Sequence, residues 1–537
     1  MALNGLMMDY PLTLNTIQRR AETIHGDREV VTRLPDRSWH RYSYREMSER
    51  AKRLALALQR LGVASGDRVA TLCWNHYRHL EAYFGIPASG AVLHTLNLRL
   101  HPDDLVHIIN EADDRVVIVD DSLLPLLSEI RDRAELQHVV VVSETATSTS
   151  EYLDYEALIE AENPEQFEFQ NIDENQAASM CYTSGTVGKP KGVVYSHRAI
   201  AIHTLGAALT CGFEIWESDC LLPVVPMFHV NCWGLPYIAA MMGAKLVLPG
   251  PNLDPQSLLE AYQQERVTWS AGVPTIWLAL LDKLDENPGA YDLSALRKMI
   301  VGGAALPQSL LEAFEERHQL NLVPAWGMTE TTPMGTTCYL RPGEESISSE
   351  QQNAIRCRQG TPVPFVELRA RGDNGLIDWD GKSMGELEVQ GPWIAAEYFN
   401  QSEANDSFTE DGWFRTGDIV SINERGSMKI EDRAKDLIKS GGEWISSLDL
   451  ENSLLAHPAV AQAAVVAVAH EKWGERPLAL IVARAETSVS ADELRDFLAQ
   501  HHAKWWIPDA FEFVDEIPKT TTGKISKKAI REQFAGG

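Results

Sequence analysis

Through most of the chain, apolar positions switch back and forth between helical and sheet spacing. Ser43 and Glu46 stand at capping-box spacing, Ala51, Leu54, Leu58 and Leu61 then recur at helical intervals, and Gly62 supplies a stop. Arg68 to Cys73 reads as a strand, the stretch after Asn75 as a helix, and Ala91 to Thr95 as another strand. A helix opens at Pro102 and leads to the apolar strand Val116 to Val119. Lys245 to Leu248 and Lys298 to Val301 continue the series as short buried strands. Such alternation predicts parallel sheet with helices on its faces. Between Gly360 and Gln390 the helical signal fades, and Val366 to Ala370 and Gly385 to Val389 predict a small β unit. After Glu431, Asp432 and Arg433 the order becomes a helix at Leu448 to Leu455, strands at Ala461 to Val468 and Leu478 to Val482, and a helix opened by Ser490 and Glu493. That order predicts a compact α+β unit. The polar run Asn171 to Gln176 reads as a solvated connection, and no fixed-period repeat is found.

Composition narrows the possibilities. A chain of 537 residues exceeds one ordinary core, and 44% hydrophobic with 23% charged residues is globular. A formal charge of −28 repels phosphodiester backbones, so nucleic acid is not an expected partner, and anionic ligands need local basic patches. The seven cysteines (Cys73, Cys181, Cys211, Cys220, Cys232, Cys338, Cys357) are scattered without CxxC spacing, as for reduced thiols of a cytoplasmic protein without a zinc site. The N-terminus lacks a basic stretch followed by a sustained apolar run, and segments such as Val460 to Ala469 are too short to span a bilayer.

The chemistry gathers around residues 180–193, MCYTSGTVGKPKGV. Thr183, Ser184 and Thr186 offer hydroxyls, Gly185, Gly188 and Gly192 admit close backbone approach, and Lys189 and Lys191 add positive charge. This is a candidate phosphate cradle, with a Gly-rich surface hairpin as the alternative. It is not a Walker loop, because Pro190 follows Gly188 and Lys189 where the magnesium-binding hydroxyl would begin a helix. Gly302-Gly303-Ala304-Ala305 follows a strand, where an α/β sheet opens its ligand crevice, or simply makes a tight turn. Ala325-Trp326-Gly327-Met328-Thr329-Glu330 offers an aromatic face, a hydroxyl and a hard carboxylate. Asp418, with Arg433 fifteen residues later, offers a carboxylate able to accept two hydrogen bonds, or forms an ordinary surface pair. Pro518 to Lys524 is a Thr-rich loop before the last helix.

Together, and in this order, these motifs resemble those of the adenylate-forming superfamily of acyl-CoA synthetases, luciferases and peptide-synthetase adenylation domains. The resemblance spans nearly the whole chain. It implies an α/β N-terminal adenylation domain (1–432) of layered α/β subdomains plus a small β unit, followed by a small mobile α+β C-terminal domain (433–537) hinged at Lys435. It further implies that Thr183, Ser184, Gly185, Thr186 and Lys191 hold phosphate, and that Gly302, Gly303, Ala304 and Ala305 run along the adenine and acyl pocket. Trp326 stacks on adenine where most members have Tyr, with Gly327, Met328 and Thr329 beside it; Glu330 holds Mg²⁺; and Asp418 and Arg433 bind ribose. Lys524 matches the catalytic lysine, alongside Thr186 and Glu330. His229, Trp233, Gly302, Gly327 and Pro333 line the acyl site, Trp233 as a gate, with simple core packing of that tryptophan as the alternative. A packing role suits His229 better than that of a base, because a carboxylic acid is already ionised at neutral pH. Lys439, Ser440, Gly441, Gly442 and Glu443 form the coenzyme A segment.

The implied reaction is ATP-dependent ligation of an acid to CoA through an acyl-adenylate, releasing pyrophosphate and AMP. The WGMTETTP run and the KWWIPDAFEFVDEIPKTTTGKISKKAIRE ending resemble short- to medium-chain fatty-acyl-CoA ligases and bacterial 3-methylmercaptopropionyl-CoA ligases of dimethylsulfoniopropionate breakdown. A generic medium-chain synthetase, a stand-alone adenylation domain, a luciferase-like oxygenase and a non-catalytic nucleotide sensor are the rival readings. The sequence does not reveal the oligomeric state and leaves a homodimer open.

Overall fold

The computed structural model describes residues 3–145, 149, 151–183, 189–400, 405–441, 443–484, 487–519 and 525–534. The expected alternation builds two large sheets. In the first, strands run in the order Leu153–Asp154, His138–Val142, Asp114–Asp120, Arg68–Leu72, Val92–Thr95, Ala177–Tyr182, Gly192–Ser196, parallel until the last pair reverses direction. The second orders Thr361–Pro362, Met334–Thr337, Leu322–Gly327, Lys298–Val301, Trp269–Gly272, Cys220–Pro223, Lys245–Leu248, Glu29–Arg33, Trp39–Ser43, parallel in its interior and antiparallel at both margins.

Helix Tyr44–Arg60 begins where the capping box places it: Ser43 accepts from the Glu46 backbone N–H, and the Glu46 carboxylate accepts from that of Ser43. Its apolar stripe packs on helix Tyr77–Ala88, every residue of which is buried. That helix carries buried charge as well. Arg50 bonds Glu81 (2.7 Å) and Glu156 (2.9 Å), and Tyr155 donates to Glu81 (2.8 Å), so the carboxylate is paired inside the protein rather than isolated.

The β unit is a five-stranded antiparallel sheet, Gly375–Leu376, Glu367–Gly372, Met384–Gln390, Phe414–Ile422, Met428–Arg433. Its last strand ends at Arg433, two residues before Lys435, and the next strand, Ile438–Ser440, belongs to a separate sheet with Glu443–Ile445, Gly474–Ala483, Val460–His470 and Ala510–Phe513. Helices Ser447–Leu455 and Ala491–Ala499 pack with that sheet around Leu450, Leu454, Val465, Ile481, Leu494 and Leu498. This is the expected α+β unit.

All seven cysteines are unbridged. No helix among the described residues is long and apolar enough to cross a membrane.

Candidate active site

One cavity of about 460 Å³ draws its walls from both large sheets, the β unit and the segment after it. Strand Leu322–Gly327 delivers Ala325, Trp326 and Gly327 to it, and the chain returns antiparallel as Met334–Thr337. The return demands glycine twice. A Cβ on Gly327 would stand 1.8 Å from the Pro333 carbonyl oxygen, and one on Gly335 2.3 Å from the Trp326 ring. Gly335 therefore makes room for an indole where a smaller ring would need less.

Trp326 Nε1–H donates to Asp418 Oδ2 at 2.9 Å, while Arg433 Nε lies 2.8 Å from Oδ1. Asp418 and Arg433 face each other across paired strands. Asp418 is only 1% exposed, so the pair is a buried, oriented carboxylate rather than a surface contact. Two oxygens carry about four acceptor sites, leaving capacity for ligand hydroxyls.

Glu330 is buried and held by the loop after Met384–Gln390. Tyr398 donates to its carboxylate at 2.6 Å, and the Ala395 N–H to its backbone carbonyl at 2.8 Å. Burial first, then the Glu330 carboxylate, keeps the Tyr398 phenol protonated by raising its pKa well above the ordinary value. The Lys191 ammonium sits 4.6 Å from the Tyr398 ring centroid. Thr183 and Lys191 close the base of the glycine loop, Lys191 N–H donating to Thr183 Oγ1 (3.0 Å) and Thr183 N–H to the Lys191 carbonyl (2.9 Å). Both line the cavity, with Lys189, Thr329 and Met328. Ser184, Gly185, Thr186, Gly442 and Lys524 lie outside the described residues. Ile525, next to Lys524, lines the cavity and bridges to Lys519.

The remaining wall is apolar. Phe228, Trp233, Gly302 and Pro333 line it, with the half-buried His229. Trp233 lies so close to Gly302 that a Cβ there would meet the indole at 2.7 Å. Trp233 ends a run of four non-glycine residues with positive φ, which costs about 1–2 kcal/mol per residue. Gly303 lines the cavity, whereas Ala304 is exposed and Ala305 half-buried outside its lining.

Lys435 lines the cavity beside Arg433 and Asp436. Burial is the main cause lowering its pKa, against the pull of Asp436. The Lys439 stretch stands apart from the cavity. Ser440 accepts from Arg476 (3.2 Å), Gly441 takes φ 62° with its N–H on the Trp473 carbonyl (2.8 Å), and the Glu443 backbone pairs with Ser440.

Among the polar residues of the lining, Arg99, Tyr398 and Asp436 escape sequence reasoning. Arg99 follows strand Val92–Thr95 and Tyr398 follows Met384–Gln390, and only the packing of the sheets brings these loops to the site. Elsewhere the fold gathers Cys73, His76 and Asp120, whose ligand atoms all lie within 4.8 Å of one another. These atoms are spent on the protein: His76 Nε2 bonds Asp120 Oδ1 (2.8 Å) and its Nδ1 accepts from the His79 N–H (3.1 Å). Asp120 Oδ2 accepts from the Trp74 N–H (2.8 Å), and Cys73 donates to the Ile118 carbonyl (3.4 Å).

The chain matches the AMP-binding enzyme family over residues 17–399 and the AMP-binding enzyme C-terminal domain over residues 449–524. It is 48% identical to a long-chain-fatty-acid–CoA ligase of Thermus thermophilus, covering 99% of this chain and 97% of that one. It is 42% identical to a 3-methylmercaptopropionyl-CoA ligase of Ruegeria lacuscaerulensis, covering 99% and 98%. Among solved structures, the anthranilate CoA ligase AuaEII in complex with anthranoyl-AMP superposes with a TM-score of 0.86 at 26% identity over 98% of both chains. The chain belongs to the AMP-binding enzyme family, the adenylate-forming acid–CoA ligases.

Proposed function

We propose that this ligase activates a short- to medium-chain carboxylic acid, 3-methylmercaptopropionate among its candidates, as an acyl-adenylate and passes the acyl group to CoA. The observation that carries the reading is one cavity lined both by Trp326 and Arg433, which fix the buried Asp418 behind them, and by the Trp233 and Gly302 wall. One cavity carries both the Trp326 wall and the Trp233 wall, so nucleotide and acid share it. The Trp233 indole, packed against Gly302, narrows its apolar end, which suits a short acyl chain. The anthranilate ligase with anthranoyl-AMP offers a structural precedent for such an adenylate.

In this reading Asp418 accepts the ribose hydroxyls, the Trp326 face takes adenine, and Thr183 and Lys191 meet the phosphates. Glu330 fits a Mg²⁺ ligand: it is a hard carboxylate facing the cavity, aimed by the Tyr398 hydroxyl. Bound there, the ion would neutralise polyphosphate charge. The acid's carboxylate oxygen bonds to the α-phosphorus and pyrophosphate leaves. The CoA sulfur then bonds to the acyl carbon and AMP leaves. Lys524, the residue before Ile525, supplies charge for the first step, with Thr186.

The domain boundary falls at 432/433, with Lys435 as hinge. The stretch Lys439 to Glu443 serves the thiol step after the C-terminal domain turns. That turn must break contacts seen here: Lys429 to Asp449 (3.2 Å) and both Ser447 bonds to Asp432 (2.7 and 2.6 Å). The protein works in the cytoplasm, as a homodimer.

A panel of straight-chain and thioether acids tests the reading, with AMP and CoA thioester followed for each. Short to medium acids should lead the panel. Comparable kcat/KM for all lengths would refute the size argument, and no thioester from any acid would refute the whole.

A further inference from the structure

Residues Val230, Asn231, Cys232 and Trp233 take φ of 46°, 51°, 53° and 55° in succession, and Gly234 follows at 73°. Non-glycine residues visit the left-handed region singly, Asn more readily than most, and a β-branched Val there is a clear outlier. A run of four persists only where its surroundings over-determine it. Here they do so from several sides. Ser179 Oγ, on strand Ala177–Tyr182, shares its proton between Asn231 Oδ1 (3.0 Å) and the Leu93 carbonyl (3.1 Å), and Cys181 Sγ, on the same strand, reaches the same Asn231 oxygen at 3.6 Å. Cys232 Sγ donates to the Val225 carbonyl at 3.1 Å. At the exit, a Cβ on Gly234 would meet the His203 ring at 2.8 Å. At the entry, Asn75 brackets the chain, its Nδ2 donating to the Val225 carbonyl (2.8 Å) and its Oδ1 accepting from the Met227 N–H (2.7 Å).

The hand of a turn decides where its Cβ atoms point. A right-handed turn over the same residues would aim the Trp233 indole away from Gly302. Among these restraints, the Asn231 carboxamide is the side-chain acceptor within the turn itself, and it is 3% exposed. It ties the turn to the first large sheet, whereas Gly302 follows a strand of the second.

We propose that Asn231, acting through Ser179, is a positioning residue for acid selectivity: it holds the left-handed turn and thereby keeps the Trp233 indole against Gly302 at the acyl end of the cavity. This rests on the reading of Trp233 as an acyl-site wall given above. Loosening the turn lets the indole leave Gly302, and the wall no longer distinguishes acids by length.

The test uses the full chain with Mg·ATP, CoA and straight-chain acids of graded length. Its readout is the ratio of kcat/KM for the best acid to that for an acid several carbons longer, which a general loss of activity does not move. Asn231→Ala and Ser179→Ala should each cut that ratio about 5–10-fold, within the range one or two methylenes command. Ser179→Thr, which keeps the hydroxyl, should hold it within about twofold. Amide exchange across residues 228–236 should quicken in Ser179→Ala and not in Ser179→Thr. Should Asn231→Ala fail to fold, Ser179→Ala decides alone. Trp233→Ala separates the two levels of the claim. If it shifts the ratio while the Asn231 and Ser179 variants do not, the positioning role is overturned and the acyl-wall reading stands; if it does not shift the ratio, both fall.

Discussion

The two ends of the cavity are built by different means. At the end proposed for the nucleotide, hydrogen bonds tie together segments far apart in the chain: Trp326 to Asp418, Asp418 to Arg433, Tyr398 to Glu330. At the end proposed for the acid, shape replaces polarity, with a left-handed turn and two bare glycines, Gly234 and Gly302, setting where an indole lies. The polar end asks a yes-or-no question of its ligand, because a buried donor left unpaired is costly. The apolar end grades its ligands, since one methylene is worth only about 1–3 kcal/mol. One enzyme can thus be strict about its nucleotide and tolerant about its acid.

The comparison breaks most readily at Asp418. Asp418→Ala removes the proposed ribose acceptor and strands the Trp326 N–H and Arg433, so kcat/KM for ATP should fall at least about 10²-fold, in line with breaking a buried pair. The preference among acids should survive in the residual activity; a changed order would mean the two ends are not independent. Trp326→Phe keeps a ring and deletes one hydrogen bond to a charged group, worth about 1.5–3 kcal/mol, and should raise KM for ATP roughly tenfold or more. An unchanged KM would show that the indole N–H does not orient Asp418.

Acid should weaken the packing behind the apolar end of the cavity. Burial lowers the His203 pKa to about 3, and its ring, which accepts from the Met334 N–H at 3.3 Å, backs the left-handed turn at Gly234. The unfolded chain takes up that proton near pH 6.5 while the folded one refuses it. Stability is therefore fully present above pH 6.5 and drains as pH falls toward 3, at about 1.4 kcal/mol per pH unit for this one group. His203→Gln should flatten the slope of the urea midpoint against pH in that window, and an unaltered slope would remove His203 from the account. The smallest effect is expected of Tyr398→Phe: it deletes one hydrogen bond to a charged group, again about 1.5–3 kcal/mol, but the freed Glu330 carboxylate can be taken up by Mg²⁺, so the Mg²⁺ requirement should rise only a few-fold. No change in the magnesium dependence would leave Tyr398 a packing residue.

Much of this was legible before any coordinates. The Ser43 and Glu46 capping box, the strand at Lys298–Val301 opening onto Gly302, and the small β unit follow from local spacing, which reports local structure. Helix Tyr77–Ala88 is less legible in detail. Enclosed on all sides, it has no polar stripe to define a face, and its buried Glu81 looks like surface until Arg50 and Tyr155 are placed beside it. Asp418 and Arg433 could be flagged as chemistry but not as a buried pair, because only strand register sets them opposite each other. The left-handed turn at Val230 to Trp233 left almost no trace: Asn231 and Gly234 tolerate that conformation, but Val230, Cys232 and Trp233 argue against it, and distant residues overrule them.

The central claim is that one cavity joins nucleotide and acid before CoA is needed. It is tested most directly by ATP–pyrophosphate exchange on the full chain without CoA. The account predicts exchange that depends on both Mg²⁺ and a short or medium acid, and that is lost in Asp418→Ala. Exchange that proceeds equally without any acid, or none with every acid tried, would contradict it.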